Sequence, residues 1–206
     1  MDPENGAIYR HRRACYGFGA VVEQGGERWE RRSPCPEWDA RGVLEHVIGF
    51  HEILLLRPLG IKANRPRDDI PGRWEATQLV IFTALDANWS HPVHLPDDST
   101  PDVGSLLPML TTDVLVHTWD LARAVGVAVA LDPELCEMAL SSARKSEARF
   151  RSAGMFGPPV DVSADADTQS QLLALPSIHR VALRWDVSRG NTAGAMVRNT
   201  SGVFQF

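Results

Sequence analysis

The chain lacks any long hydrophobic run: its longest stretch free of Asp, Glu, Lys and Arg is 168–179, short of the ~18 apolar residues that a membrane helix requires. No membrane-spanning helix is expected. Basic charge is also in short supply. The 206 residues hold 21 Lys and Arg against 26 Asp and Glu, a formal net charge of −5, which argues against a phosphate-neutralising surface and against nucleic acid as a partner. The chain opens Met1-Asp2-Pro3-Glu4, acidic where a signal or transit peptide is basic, with no short apolar block behind it. The expected location is the cytoplasm. Cysteine is scarce: Cys15, Cys35 and Cys136 are odd in number and contain no C-x-x-C pair, so neither a disulfide framework nor a thiolate zinc site is indicated.

What is present is ordinary globular composition, 44% hydrophobic and 23% charged, which excludes a disordered or collagen-like chain. Helical punctuation dominates the first three quarters. A first helix is predicted over 5–24, with Ile8, Ala14, Phe18, Val21 and Val22 near one face before Gly25-Gly26 stops it. The run Ser33-Pro34-Cys35-Pro36-Glu37-Trp38 cannot be helical, and Asp39 then caps a second helix that reaches Leu56. A Pro-, Arg- and Asp-rich loop leads to a third helix over 71–88 carrying Trp74, Leu79, Phe82 and Leu85. The fourth helix is predicted to begin near Ser105, which places Pro108 in its first turn, and to end at Gly126. Asp132-Pro133-Glu134 starts a fifth that reaches Arg151. No strand pattern competes, so the fold class is all-α, a four-helix bundle with one extra helix and long crossover loops. The expected organisation is a bundle over 1–175 and a tail over 176–206. The tail has four Arg against Asp186 alone, lacks a periodic apolar face, and reads as poorly ordered.

Two helices carry residues that do not belong on an apolar face. On the second, Val43, His46, Phe50 and Leu54 recur at steps of three and four, which turns His46 to the core and His51 elsewhere. On the fourth, Leu106, Leu110, Asp113, His117 and Leu121 follow the same steps, so Asp113 and His117 lie one turn apart inside an apolar seam. A buried carboxylate without a partner costs several kcal/mol, and no Lys or Arg lies on that seam between Leu106 and Leu121. A divalent metal held by His46, Asp113 and His117 would neutralise it and leave open positions for water or substrate. The spacing alone leaves a local Asp–His hydrogen bond or an exposed face as the alternative.

The segments Ser33-Pro34-Cys35-Pro36-Glu37-Trp38-Asp39 through Leu44-Glu45-His46-Val47, and Asp113-Val114-Leu115-Val116-His117-Thr118-Trp119-Asp120-Leu121-Ala122-Arg123, resemble the actinobacterial metal-binding branch of the DinB-like superfamily. That branch is related to the N-terminal domain of mycothiol-dependent maleylpyruvate isomerase. The resemblance covers 5–175, including Gly157-Pro158-Pro159-Val160 and Asp165-Ala166-Asp167. It implies a DinB-like four-helix bundle binding a divalent metal, zinc or else nickel, through His46, Asp113 and His117, with Asp113 standing where other branches carry Glu or His. It further implies a metal-dependent transferase or isomerase that uses a low-molecular-weight, mycothiol-like thiol on a small electrophilic substrate. A homodimer is compatible with it. The alternative is a non-catalytic metal-binding, sensing or interaction module. The stretch 176–206 matches nothing in the branch and is far too short to replace the isomerase's second domain, so maleylpyruvate itself is not the expected substrate.

Asp120 shares the face of Asp113 and His117 and is the candidate catalytic or orienting carboxylate, with an ion pair to Arg123 or a capping role as its ordinary alternative. Trp38 and Trp119 read as packing anchors, Cys35 as a structural loop thiol, and His91 and His94 as solvated loop residues. A metal-free hydrolase built on Asp113 and His117 lacks a nucleophile at any defined spacing.

Overall fold

The computed structural model describes residues 3–36, 38–95, 98–152, 162–163 and 165–174, with 3 and 145–152 described in backbone alone. The expected tail 176–206, its boundary after 175, and the Gly157-Pro158-Pro159-Val160 segment lie outside the described residues. Among those described, all regular structure is helical: α1 (Pro3–Glu23), α2 (Ala40–His51) continuing into a π-helical turn (Glu52–Leu56), α3 (Ile70–Asn88), α4 (Val103–Val125), α5 (Pro133–Ser152) and α6 (Thr168–Ala174). None of these helices is long and apolar enough to cross a membrane. The chain divides into two compact units after Ala139, and the bundle α1–α4 belongs wholly to the first.

Caps set the helix starts. Asp39 accepts from Gly42 N at 2.7 Å, Asp69 from Gly72 N at 2.9 Å and Asp102 from Ser105 N at 2.7 Å, each satisfying a donor that the first turn leaves without a partner. Asp102 starts α4 two residues ahead of the predicted position, so Pro108 stands in the second turn rather than the first. There its missing N–H deprives the Gly104 carbonyl of its usual donor. The helix ends at Gly126, whose φ of 72° lies in the left-handed region that a glycine enters without steric cost. The second helix does run to Leu56 as predicted, but its last turn is wider: Arg57 N donates to Glu52 O at 2.8 Å, an i to i−5 bond that helps Leu54, Leu55 and Leu56 all bury. Helix α6 was not predicted; Asp167 caps it through Ser170 N at 2.7 Å.

In the bundle, α1 packs against α3 and α4, and α2 against the same two, so α1 and α2 face each other diagonally across the core. Helix α4 is buried on almost every side from Leu106 to Ala122. Phe18, Leu44, Ile81, Leu85, Leu110 and Leu121 are fully enclosed. On α3 the buried set is Ile70, Trp74, Thr77, Ile81, Ala84 and Leu85, while Leu79 is exposed. It sits five residues from Trp74, about 140° round the helix, on the opposite side. Charged side chains fasten the elements at the surface: Arg73 of α3 bonds both carboxylate oxygens of Glu45 on α2 at 2.8 Å, and Arg13 of α1 pairs with Asp132 and Glu134 at the start of α5.

Leu110 has no exposed surface and belongs to the buried apolar cluster that includes Ile81, Leu85 and Leu107. Leu110→Ala is expected to lower unfolding stability by about 2–5 kcal/mol, read from the urea midpoint with the slope unchanged.

Candidate metal centre

The residues of the seam converge. Helix α4 carries Asp113, 4% exposed, and His117, 2% exposed, one turn apart. Helix α2 brings His46 to them, its side chain 11% exposed. His46 Nε2 lies 3.1 Å from Asp113 Oδ1, and His117 Nε2 lies 3.5 Å from the same oxygen. Each of the three residues offers one ligand atom, all within 4.8 Å of one another. A tetrahedral ion with bonds of about 2.0–2.2 Å to nitrogen and oxygen separates its ligand atoms by about 3.3–3.5 Å. Asp113 Oδ2 is buried with no hydrogen-bond partner, an arrangement that native cores rarely leave unresolved. The three residues therefore fit a divalent cation.

Asp120 completes the set. It is fully buried and accepts from His117 Nδ1–H at 2.9 Å. That bond fixes the tautomer and leaves His117 Nε2 aimed at Asp113, the carboxylate–histidine–metal pattern. The ion pair to Arg123 does not form; Arg123 lies over the Trp119 ring at 5.9 Å instead. Two aromatic rings stack on His46. Trp38 stacks on it with centroids 4.4 Å apart and Phe50 stacks at 5.7 Å, while His46 and His117 meet edge-on at 4.6 Å. Trp38, read from sequence as a packing anchor, thus packs on a ligand candidate and is half-buried at the solvent side.

Cys35 is buried, and its Sγ–H donates to Asp120 Oδ2 at 3.8 Å. It joins His117 and Asp120 as a second group of converging ligand atoms. A third group, His11, Cys15 and His51, lies on α1 and at the end of α2, wholly buried. Sequence reasoning passed over it, although Ile8, His11, Cys15, Phe18 and Val22 recur at the same steps of three and four that singled out Asp113 and His117. His51 turns away from His46 as predicted, but into the core and not out of it: the buried face of α2 is Val43, Leu44, Val47, Ile48 and His51, while His46 and Phe50, predicted on the core face, stand half-buried at its edge. His51 points into this third group. His91 and His94 are exposed in the loop before α4.

The electrostatics of the centre follow from two carboxylates in a dry core. For Asp113, burial opposes the charge, but His46 and His117 outweigh it and hold the carboxyl well below the usual range. For His117, burial again opposes the charge, and Asp113 with Asp120 overcomes it, raising the imidazole to about 10. His46 goes the other way: burial dominates the pull of Asp113 and lowers it. Without a metal, the proton on His117 is the cation that answers Asp113.

Two uncharacterized proteins of Mycobacterium tuberculosis, MT0763 of strain CDC 1551 / Oshkosh and Rv0738 of strain ATCC 25618 / H37Rv, are each 34% identical to the chain over 151 residues, covering 70% of it and 79% of their own length. The chain belongs to their family. No protein-family model matches it, and no solved structure does.

In this chain the metal-free pair should be visible in titration. Because His117 is raised above the ordinary ~6.5, the stabilisation that its charge gives is full below that value and is lost as pH rises through about 10. Imidazole NMR of the chelator-treated chain should find one histidine titrating near 10. Asp113→Asn should bring it down by several units; an unmoved titration would show that another group sets it.

Proposed function

We propose that the chain is a divalent-metal protein of the DinB-like kind, with His46, Asp113 and His117 as the ligands, acting as a thiol-dependent transferase or isomerase. The observation that carries the metal is Asp113: a carboxylate enclosed by the bundle, with Oδ2 unpartnered, between two imidazole nitrogens at ligand spacing. Zinc is the ion that best suits two imidazoles and one carboxylate, with nickel the alternative. When bound, such an ion favours the thiolate form of a thiol that reaches it and so supplies a nucleophile at neutral pH.

The chain's own residues divide the remaining work. Asp120 orients His117 and keeps its Nε2 free for the ion. His46, the only ligand with appreciable exposure, marks the side from which a small thiol and its electrophilic co-substrate enter. Trp38 and Phe50 flank that approach with apolar surface and restrict water beside His46. The thiol itself, mycothiol or one like it, rests on the resemblance of the His46 and Asp113–Arg123 segments to the DinB-like branch, and on two His plus one carboxylate leaving positions open.

Removing a ligand or its support separates these roles. His46→Ala or His117→Ala should lose one divalent ion per chain, measured by elemental analysis. Asp120→Asn should weaken the ion at this centre by about 10–100-fold. In the cobalt-loaded chain, adding mycothiol should change the visible spectrum of this centre, with tighter binding as pH rises toward the thiol's pKa because a proton leaves. A spectrum indifferent to every thiol would remove the catalytic reading and leave a metal held for structure or sensing.

A further inference from the structure

The third group of ligand atoms lies in the same core but outside the centre just described. His11 and Cys15 stand one turn apart on α1, and His51 ends α2 on the diagonal helix; none of the three has any exposed surface. His51 Nδ1–H donates to Val47 O at 2.7 Å, which leaves Nε2 with its lone pair. That lone pair faces His11 Nε2 at 3.3 Å, and Cys15 Sγ lies 3.5 Å from the same His11 nitrogen. Behind His11, Nδ1 meets Thr111 Oγ1 of α4 at 3.1 Å. Both rings are thus anchored through Nδ1 and converge through Nε2, the orientation that metal-bound histidines take when an outer partner fixes the far nitrogen.

The separations carry the argument further. Zinc bound tetrahedrally, at about 2.0–2.1 Å to nitrogen and about 2.3 Å to sulfur, spaces two nitrogens by about 3.3–3.4 Å and a nitrogen and a sulfur by about 3.5–3.6 Å. The separations in this cluster, 3.3 Å between the imidazole nitrogens and 3.5 Å from nitrogen to sulfur, fall on those values. We propose that His11, Cys15 and His51 form a second metal site, a His2Cys set for a divalent cation of the zinc class that ties α1 to α2 across the diagonal of the bundle. One thiolate and two imidazoles select zinc or cobalt over magnesium or calcium.

The donors are in the right states for it. Burial, reinforced for His11 by His51 and opposed by Asp113, lowers His11 well below its ordinary value; burial also lowers His51, so both rings bind as neutral ligands. Burial raises the Cys15 thiol, so the thiolate forms only with the cation present. On binding, the Cys15 S–H bond breaks, a sulfur–metal bond forms and the proton passes to solvent, while each imidazole keeps its Nδ1–H. Full enclosure means that the ion enters as the chain folds, not afterwards.

The test is therefore made on full-length protein expressed in cobalt-supplemented medium. Two cobalt ions per chain are expected, together with a near-ultraviolet thiolate-to-cobalt charge-transfer band that the His46–Asp113–His117 set cannot produce. His46→Ala should retain one cobalt and the band. Cys35→Ser should retain both ions and the band, which assigns the sulfur away from the neighbouring centre. Cys15→Ser should lose one cobalt and the band together. Absence of the band from folded His46→Ala and Cys35→Ser chains, both of which keep the His11 cluster intact, would overturn the proposal and leave a hydrogen-bonded chain from Thr111 through His11 and His51 to Val47. Should Cys15→Ser not fold, those two variants still decide. A wild-type chain with a single cobalt and a band that survives His46→Ala would uphold this site and remove the other.

Discussion

Asp113 places a carboxylate in the middle of a helix that is buried on almost every side, and much of the core is arranged around that charge. A buried anion without compensation costs several kcal/mol, far more than a surface ion pair returns. The bundle answers with imidazoles, not with Lys or Arg. His117 comes from the next turn of the same helix and His46 from α2. Asp120 then holds His117 from behind, so a second buried carboxylate is also answered. Two carboxylates and two imidazoles in one dry pocket suit a divalent cation, because the ion supplies the remaining positive charge without another bulky side chain.

The same carboxylate reaches the rest of the core unequally. It dominates His117, which is raised, but only tempers the burial that lowers His11 and His51. Four histidines in one bundle thus differ in charge because they differ in contact with Asp113 and Asp120. That division matters for metal chemistry, since a neutral imidazole is a ready ligand whereas a protonated one must first release its proton. Helix α4 sits between both groups, offering Asp113, His117 and Asp120 to one and Thr111 to the other.

Periodicity and punctuation alone determined that the described chain is helical, that Asp39 starts α2, that Gly126 ends α4, and that Asp113 and His117 face the core. Those features are local: a cap, a left-handed glycine and a step of three or four residues act within one or two turns. The second helix shows the limit, because a face read from one helix alone can be off by part of a turn when the partner helices are unknown: His51 is fully buried and His46 half-buried. The one-residue wider turn at Glu52–Leu56 and the second-turn position of Pro108 also depend on which leucines the core admits and which Asp wins the cap.

Tertiary structure decided what meets what. Nothing in the spacing of α1 says that His11 and Cys15 face His51, forty residues on at the end of a diagonal helix, or that Cys35 reaches Asp120. The resemblance marked His46 and the Asp113–Arg123 run, yet whether Asp120 held His117 or paired with Arg123 turned on side-chain geometry within a buried turn. Residue type and local period act through neighbours in the chain, so they are legible in sequence. Ligand convergence, tautomer and charge depend on distances between helices and on exclusion of water, which exist only once the bundle has closed.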